Sequence, residues 1–348
     1  MKVTKNKLIE VARDILRGLG ATDEEAAIVA KCLVRADMRG VDTHGVQFLR
    51  VLSDRVEARV LRTPTTINVL KDEKATILID GGNGFGQMAS HLAMEMSIQK
   101  AKSYGIGCSL VRNTNNVGML AFYTLMASDA GVVGIAITNS APFMPPWGGT
   151  EPFFGTNPIS IAVPSGTEVP LVLDMATTVA AVAKIHRAHE RRETIPLGWA
   201  LDETGTPTTD PDAALEGSLL PIGGPKGYGL ALMIDVLAGM LSGSKYGPDV
   251  GRLYEMLGPL GAGFMSIAID VERFMPLHQF KRLMKTYTES IREGKKAKGI
   301  SRIYLPGEIE YEKEQGSLTE GIEINSKVAI GLNQLLEKFK SAIRLAEE

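Results

Sequence analysis

Between residues 75 and 175 the chain joins its β-strands in two different ways, and that mixture restricts the fold more than any composition does. The runs "ATILIDG", "GIGCSLVRN" and "VVGIAITNS" are short, rich in β-branched residues and bounded by glycine or asparagine, so they read as strands. Helix-like stretches, "MASHLAMEMSIQKAKSYG" and "MLAFYTLMASDAG", separate them. "PISIAVPSGTEVPLVLDMA", by contrast, sets two strands on either side of a short turn. Parallel neighbours need a long crossover, whereas a tight turn makes its two strands antiparallel. A uniformly parallel sheet is therefore excluded. The expected core is three-layer α/β/α around a mixed, non-Rossmann sheet.

The first 60 residues read instead as helices. Thr22 and Glu25 form a capping box, and Ile28, Val29, Cys32, Leu33 and Ala36 follow at helical spacing. Gly40 suits a left-handed stop, and a second helix is expected over about "VQFLRVLSDRVEA". After residue 265, "FMSIAIDVERFMP" supplies one more strand, and a helix runs from about Leu277 to Gly294. "ISRIYLPGEIE" reads as a short strand ending in a Pro-Gly turn, and a last amphipathic helix begins near Ser326. At 348 residues the chain exceeds what one hydrophobic core usually serves. The expected division is a helical lobe, residues 1–72 joined by 266–348, beside an α/β domain of residues 73–265.

Several function classes drop out on composition. A net charge of −2 offers no basic footprint for nucleic acid or an anionic membrane. No apolar run reaches the roughly 18 residues of a spanning helix, and the best candidate, "YGLALMIDVLAGML", carries Asp235 in its middle. The N-terminus lacks the apolar core of a signal peptide. Cys32 and Cys108 have no metal-ligand spacing. Reduced core thiols, no metal and a cytoplasmic location are expected.

Five histidines are present, and four of them, His91, His186, His189 and His278, lie in helix-like, charge-bearing surroundings. His44 sits in a loop, "RGVDTHGV", whose glycines allow close backbone approach. Imidazole titrates near neutral pH, so this residue is either a proton carrier or a satisfied loop histidine. "GGPKGYG" (223–229) places four glycines and Lys226 before an apolar helix expected to begin near Leu230. That is an anion-binding arrangement, or a tight turn with a solvated lysine. In "LVLDMATT", Asp174 ends an apolar strand, where it either orients an imidazole or cofactor or caps a helix over "ATTVAAVAKI". "FGTNPIS" reads mainly as a turn aligning the next strand. "ILIDGGNGFGQ" fails as a dinucleotide fingerprint, because Gly82 and Gly84 are followed by Gln87 where a third glycine belongs.

Taken together, "ADMRGVDTHGV", "GTNPISIAVP", "LVLDMATT", "IPLGWALDETGTPTTDP" and "GGPKGYGLALMIDVLAGMLSG" resemble the type-2 malate/L-lactate dehydrogenase family from residue 1 to about residue 325. "GPKGYGL", "YLPGE" and "TEGIEI" look most like its ureidoglycolate dehydrogenase branch. The resemblance implies NAD(P)-dependent hydride transfer on a small 2-hydroxy acid or its oxo form, a homodimer, and a nucleotide-binding fold that is not Rossmann. It implies His44 as acid/base with the Thr43 hydroxyl beside it, and Asp174 as the strand-end aspartate near the cofactor. It further implies cofactor contacts at Ser140, Asp174, Met175, Ala176, Lys226, Arg282, Pro306, Gly307 and Glu308. Relatives carry arginine where this chain has Phe48 and an aromatic at Leu52, so Phe48 and Arg50, together with Asn116, are the expected substrate-side residues. Asn116 replaces a histidine, and asparagine exchanges no proton at neutral pH, which leaves that work to His44. Glu308 would bond ribose hydroxyls and repel a 2′-phosphate, whereas Arg282 would attract one; the balance leans to NAD over NADP. Two other readings stay open: a cyclic imine acid reductase (piperideine or pyrroline carboxylate), and a non-catalytic cofactor-binding homologue.

Overall fold

The computed structural model describes residues 1–345. After a two-residue strand, β1 (Lys2–Val3), come α1 (Lys5–Gly18), α2 (Asp23–Met38) and α3 (Phe48–Glu57). The capping box forms at α2. Thr22 Oγ1 accepts from the Glu25 N–H at 3.2 Å, and Glu25 Oε2 accepts from the Thr22 N–H at 2.8 Å. Glu25 Oε1 also takes the Thr65 N–H at 2.6 Å, a long-range tie that no local pattern announces.

The middle of the chain alternates β2 (Asn68–Asp72), β3 (Thr76–Asp80), α4 (Gly86–Tyr104), β4 (Ile106–Thr114), α5 (Ala121–Asp129) and β5 (Val132–Thr138). β6 (Ile159–Val163) and β7 (Leu171–Met175) then pair antiparallel. A small lobe follows, with α6 (Val182–Arg191), β8 (Ala200–Leu201), β9 (Pro207–Thr208), α7 (Pro211–Glu216) and β10 (Ser218–Leu219). The chain closes through α8 (Pro225–Ile234), β11 (Ala262–Asp270), α9 (Leu277–Arg292), α10 (Glu308–Glu320), β12 (Ile322–Glu323) and α11 (Ser326–Lys338).

Seven strands make one sheet in the order β2-β3-β4-β11-β5-β6-β7. Only β3 and β4, joined through α4, are parallel; every other pair is antiparallel. The sheet is thus mixed, as the two kinds of connection require. α4 and α5 cover one face, sharing a core that includes Ile79, Val111, Tyr123 and Phe264 and that reaches Cys32 and Ala36 on α2. Against the other face, Ile234 and Ala238 pack on Ile137 and Met265. Here α8 runs on into a π-helical turn, Asp235–Met240, in which buried Asp235 accepts from Asn139 Nδ2 and the Gly247 N–H, both at 2.8 Å. A separate helical core draws from both ends of the chain, with Leu8, Leu33 and Leu49 packed beside Leu332 and Leu336.

Three expectations need correction, and one strand is additional. β2 is an added edge strand, exposed along its whole length, and such a strand carries little hydrophobic pattern. "ISRIYL" forms no strand; Val172 N–H instead donates to Pro306 O at 3.1 Å, and α10 starts two residues later at Glu308. α8 begins at Pro225 and not near Leu230, because proline is well placed in a first helical turn and Gly224 supplies the left-handed entry at φ 64°. Residues 176–181 are irregular, so Asp174 caps no helix that follows it directly.

Candidate active site

Why a helix stops before "DTHG" becomes visible at α2. Gly40 (φ 72°) turns the chain, and Asp42–His44 form a single 3-10 turn closed by Gly45 N–H to Asp42 O at 2.9 Å. Asp37 Oδ2, one helical turn back on α2, accepts the Val46 N–H at 2.8 Å. The Asp37 carboxyl lies so close to Gly45 that a Cβ there would fall 1.8 Å from Oδ1. Glycine is required at 45 by this approach and not by its own dihedral angles. Burial raises the Asp37 carboxyl to about 7, opposed by the Val46 amide and reinforced by Asp42.

The turn presents His44 mostly buried, with Nδ1 2.9 Å from Thr43 Oγ1. Burial holds the imidazole below its ordinary value, and the Asp42 carboxylate pulls the other way. Nε2 makes no hydrogen bond among the described residues. When Nδ1–H donates to the Thr43 hydroxyl, Nε2 is the free basic nitrogen, the state a general base needs.

Asp174 sits elsewhere. It is the penultimate residue of β7, paired in register with Ser160, and its Oδ2 accepts the Ala121 N–H at the first residue of α5 at 2.7 Å. A carboxylate at a helix N-terminus is favourable, and Asp174 serves α5, a helix more than fifty residues upstream, and not the "ATTVAAVAKI" stretch the sequence suggested. The side chain keeps contact with solvent on one side, while surrounding protein desolvates it and raises it to about 7. The Ala121 amide and the Arg39 guanidinium oppose that rise, and Glu310 adds to it. No hydrogen bond or ion pair joins Asp174 to His44 among the described residues; the imidazole is oriented by Thr43.

Arg39 and Asp37 are the residues that sequence reasoning missed. Arg39 is almost fully buried at the end of α2, with Nη1 on Glu314 Oε2 at 2.8 Å and Nε buried without a partner. Its charge reaches Asp174 and opposes the rise of that carboxyl. Their signal was present in "ADMRG", where two charges end an otherwise apolar helix face.

A second group of segments gathers around β7. Ser140 N–H donates to Asn157 Oδ1 at 3.1 Å, Thr156 N–H to Ser140 Oγ at 3.1 Å, and Thr177 N–H to Thr156 O at 2.9 Å. Asn157 Nδ2 reaches Ala231 O on α8 at 2.9 Å, and Ile222 N–H donates to Thr177 O at 2.8 Å. The "GTNP" turn therefore ties Ser140, Met175, Ala176 and the glycine-rich entry to α8 into one region. Lys226 stands exposed in the first turn of α8, with no hydrogen bond or ion pair among the described residues. A Cβ built on Gly148 or Gly223 would meet nothing within 4 Å, so there is open space beside it. Unpaired N–H groups, a free lysine and open room fit an anionic, phosphate-bearing group. Gly307 (φ 84°) packs against Val172, bringing Pro306 alongside β7 two residues before Asp174.

Glu308, Phe48 and Arg50 do not stand where the roles given to them require. Glu308 is buried and held inside the protein: Arg292 Nη2 donates to Oε1 at 3.0 Å, Arg302 also pairs with Oε1, and the Leu305 N–H donates to Oε2 at 2.9 Å. Its carboxylate is turned to these partners and away from solvent, and the lean to NAD loses that support. Arg282 is exposed on α9. Phe48 is 4% exposed and packs with Leu49 and Leu52 in the helical core, so it is core packing and not a pocket wall. Arg50 turns to the outer face of α3 and pairs with Asp54 at 3.1 Å. Asn116 lies on the β4–α5 loop, where its Oδ1 accepts the Gly118 N–H at 2.8 Å.

Comparison with known proteins accords with this geometry. A malate/L-lactate dehydrogenase family model matches residues 3–333. The chain is 37% identical over 346 residues to a malate dehydrogenase of Pyrococcus abyssi, covering 97% of this chain and 95% of that one. It is 39% identical over 324 residues to the L-sulfolactate dehydrogenase of Methanocaldococcus jannaschii, covering 93% and 92%. The solved sulfolactate dehydrogenase structure from that organism superposes with a TM-score of 0.93 at 36% identity, covering 99% of this chain and 98% of that chain. The ureidoglycolate dehydrogenase (NAD(+)) of Escherichia coli K12 is 33% identical over 325 residues, covering 93% of each.

Proposed function

Because this chain belongs to the malate/L-lactate dehydrogenase family, we propose that it interconverts a small 2-hydroxy acid and its 2-oxo acid with His44 as the proton carrier. The observation that carries the assignment is the imidazole fixed through Nδ1 by Thr43, with Nε2 unengaged, on a turn locked by Asp37. In the oxidative direction Nε2 takes the hydroxyl proton and Nδ1–H stays on Thr43; in reduction the imidazolium returns the proton to the carbonyl oxygen. A bound nicotinamide dinucleotide supplies the hydride acceptor or donor. Lys226, the α8 N-terminus, Ser140 and the Asp174–Ala176 segment are the residues proposed to hold it. Pro306 and Gly307 flank the same strand. Asn116 is proposed to hydrogen-bond the substrate without exchanging a proton.

We further propose a homodimer. Leu230, Met233, Met240 and Leu241 leave an apolar stripe exposed along α8 and its π-helical extension, which a second copy would cover. The proposed compartment is the cytoplasm; among the described residues no helix is long and apolar enough to cross a membrane.

The test is a turnover screen with NAD(H) and NADP(H) against malate, lactate, sulfolactate, ureidoglycolate and a cyclic imine acid. Oxidation of at least one hydroxy acid, lost by a hundredfold or more in His44→Ala with NADH affinity unchanged, is the expected result. Imine reduction without hydroxy-acid oxidation refutes the substrate class. Cofactor binding with no turnover refutes catalysis. A His44→Ala variant retaining half of wild-type kcat refutes the role of His44.

A further inference from the structure

The small lobe that follows β7 has an apolar core of its own, built from Ile185, Ala188, Ile195, Ala200, Ala214 and Leu219. Toward the helical core, α6 extends two charged side chains. Arg187 Nη2 donates to Asp42 Oδ2 at 3.0 Å, and Glu190 Oε1 accepts from Lys327 Nζ on α11 at 3.5 Å. The first contact lands on the Asp42–His44 turn itself, two residues before the imidazole. α6 begins shortly after the Asp174–Ala176 segment, so one short helix runs from the proposed cofactor side to the proton-transfer turn.

We propose that Arg187 is a positioning residue for the reaction: by holding the Asp42 carboxylate it seats the small lobe on the Asp42–His44 turn and sets the charge that the imidazole faces. The inference rests on His44 being the acid/base of the proposed function. The charged groups around the turn come from four elements. α2 contributes Asp37, on the Val46 N–H, and Arg39, paired with Glu314. The turn contributes Asp42, and α6 contributes Arg187. α10 contributes Lys313, whose Nζ lies over Gly40, 2.8 Å from where a Cβ would stand.

Among these, Asp42 is the carboxylate whose charge acts on His44, favouring the imidazolium against burial. Arg187 offsets part of that charge, so without it Asp42 would stabilise the protonated form further. Both side chains are solvent-accessible, 47% and 59% exposed, so the pair adds little to folding and its field is open to screening by salt.

The experiment is the pH dependence of kcat/KM for hydroxy-acid oxidation, in which the acid limb follows deprotonation of His44. Arg187→Gln leaves Asp42 unpaired and is expected to move that limb to higher pH by about half a unit, a roughly threefold loss below it. Asp42→Asn is expected to move the limb to lower pH, and the double variant to return it near the wild-type position. Salt at 0.5 M is expected to shrink the Arg187→Gln shift, since the Debye length falls to about 4 Å. Arg187→Lys keeps the charge and is expected to restore most of the profile. A purely structural ion pair would change thermal midpoints and leave the limb where it is, which would overturn the inference. So would a limb moved the same way by Arg187→Gln and Asp42→Asn. His44→Gln separates the two levels: an acid limb surviving in that variant overturns the His44 assignment and this inference together. A limb lost in His44→Gln but unmoved by Arg187→Gln overturns the role of Arg187 alone.

Discussion

Gly45→Ala is the smallest change that should disable the catalytic turn. The added Cβ would sit 1.8 Å from Asp37 Oδ1, 2.3 Å from Cγ and 2.6 Å from Oδ2. Ordinary contact begins near 3.4 Å, so the two groups must separate by more than an ångström. The backbone at 45 is extended and tolerates alanine, so the cost is the collision alone. Asp37 has a short side chain anchored to the Val46 N–H at 2.8 Å. It can clear the methyl only by giving up that bond, a loss of about 1–3 kcal/mol, or by pushing the turn outward. Displacing a reacting group by about 1 Å costs on the order of a hundredfold in rate. The expected result is a kcat lower by roughly thirty- to a hundredfold with NADH affinity within about twofold of wild type. The assay is steady-state kcat beside an NADH fluorescence titration. Asp37→Ala/Gly45→Ala removes the collision but not the missing bond, and should recover part of the rate. A Gly45→Ala enzyme with more than half of wild-type kcat would refute the claim that Asp37 and Gly45 position His44.

Three further outcomes follow from the same packing and charges. Phe48→Arg, which places a guanidinium in the core beside Leu49 and Leu52, should destabilise by about 4 kcal/mol or more; a denaturant midpoint near wild type, with a lower KM for malate, would show that position 48 faces substrate. Lys226→Ala should weaken NADH binding by about tenfold, because it deletes a full charge at a helix N-terminus; an unchanged Kd would make it an ordinary surface lysine. Asp37 binds its proton more tightly folded, at about 7, than unfolded, near 3.9. Its contribution to stability is therefore present below about pH 4 and lost as pH rises through 7. Asp37→Asn keeps an acceptor for Val46 and should flatten the fall in thermal midpoint between pH 5 and 8; parallel curves for the two proteins would contradict the raised carboxyl.

What could be read from the chain was what is local. The Thr22–Glu25 box, the period-two strands and the proline-glycine punctuation each depend on residues a few positions apart, and the mixed sheet follows from loop lengths. α10 escaped because "EIEYEKEQGSLTE" is charged on every side and gives no apolar stripe. It is held by tertiary ion pairs, Arg35 and Arg39 on Glu314, and by the buried Glu308 node. The same distinction separates the site residues. His44 stood out because loop histidines between glycines are unusual in this chain. Glu308 was misread because a carboxylate after a Pro-Gly turn looks available, and only the folded chain brings Arg292 and Arg302 to it. Phe48 was misread in the same way: its neighbours along α3 say helix, and only packing against the C-terminal segment says core.

β11 lies between β4 and β5, pairing antiparallel with both. Everything N-terminal to it can assemble only two separate half-sheets, β2-β3-β4 and β5-β6-β7, each with an open edge facing the other. Those edges stay unsatisfied until residues 262–270 arrive and join them. Such a topology defers its most central pairing to nearly the last quarter of the chain, which predicts slow, late-committing folding. A ribosome-bound or truncated chain ending before Ala262 would hold two edges competent to pair with any other strand. A tendency of such fragments to aggregate is the consequence expected from the order in which this sheet is threaded.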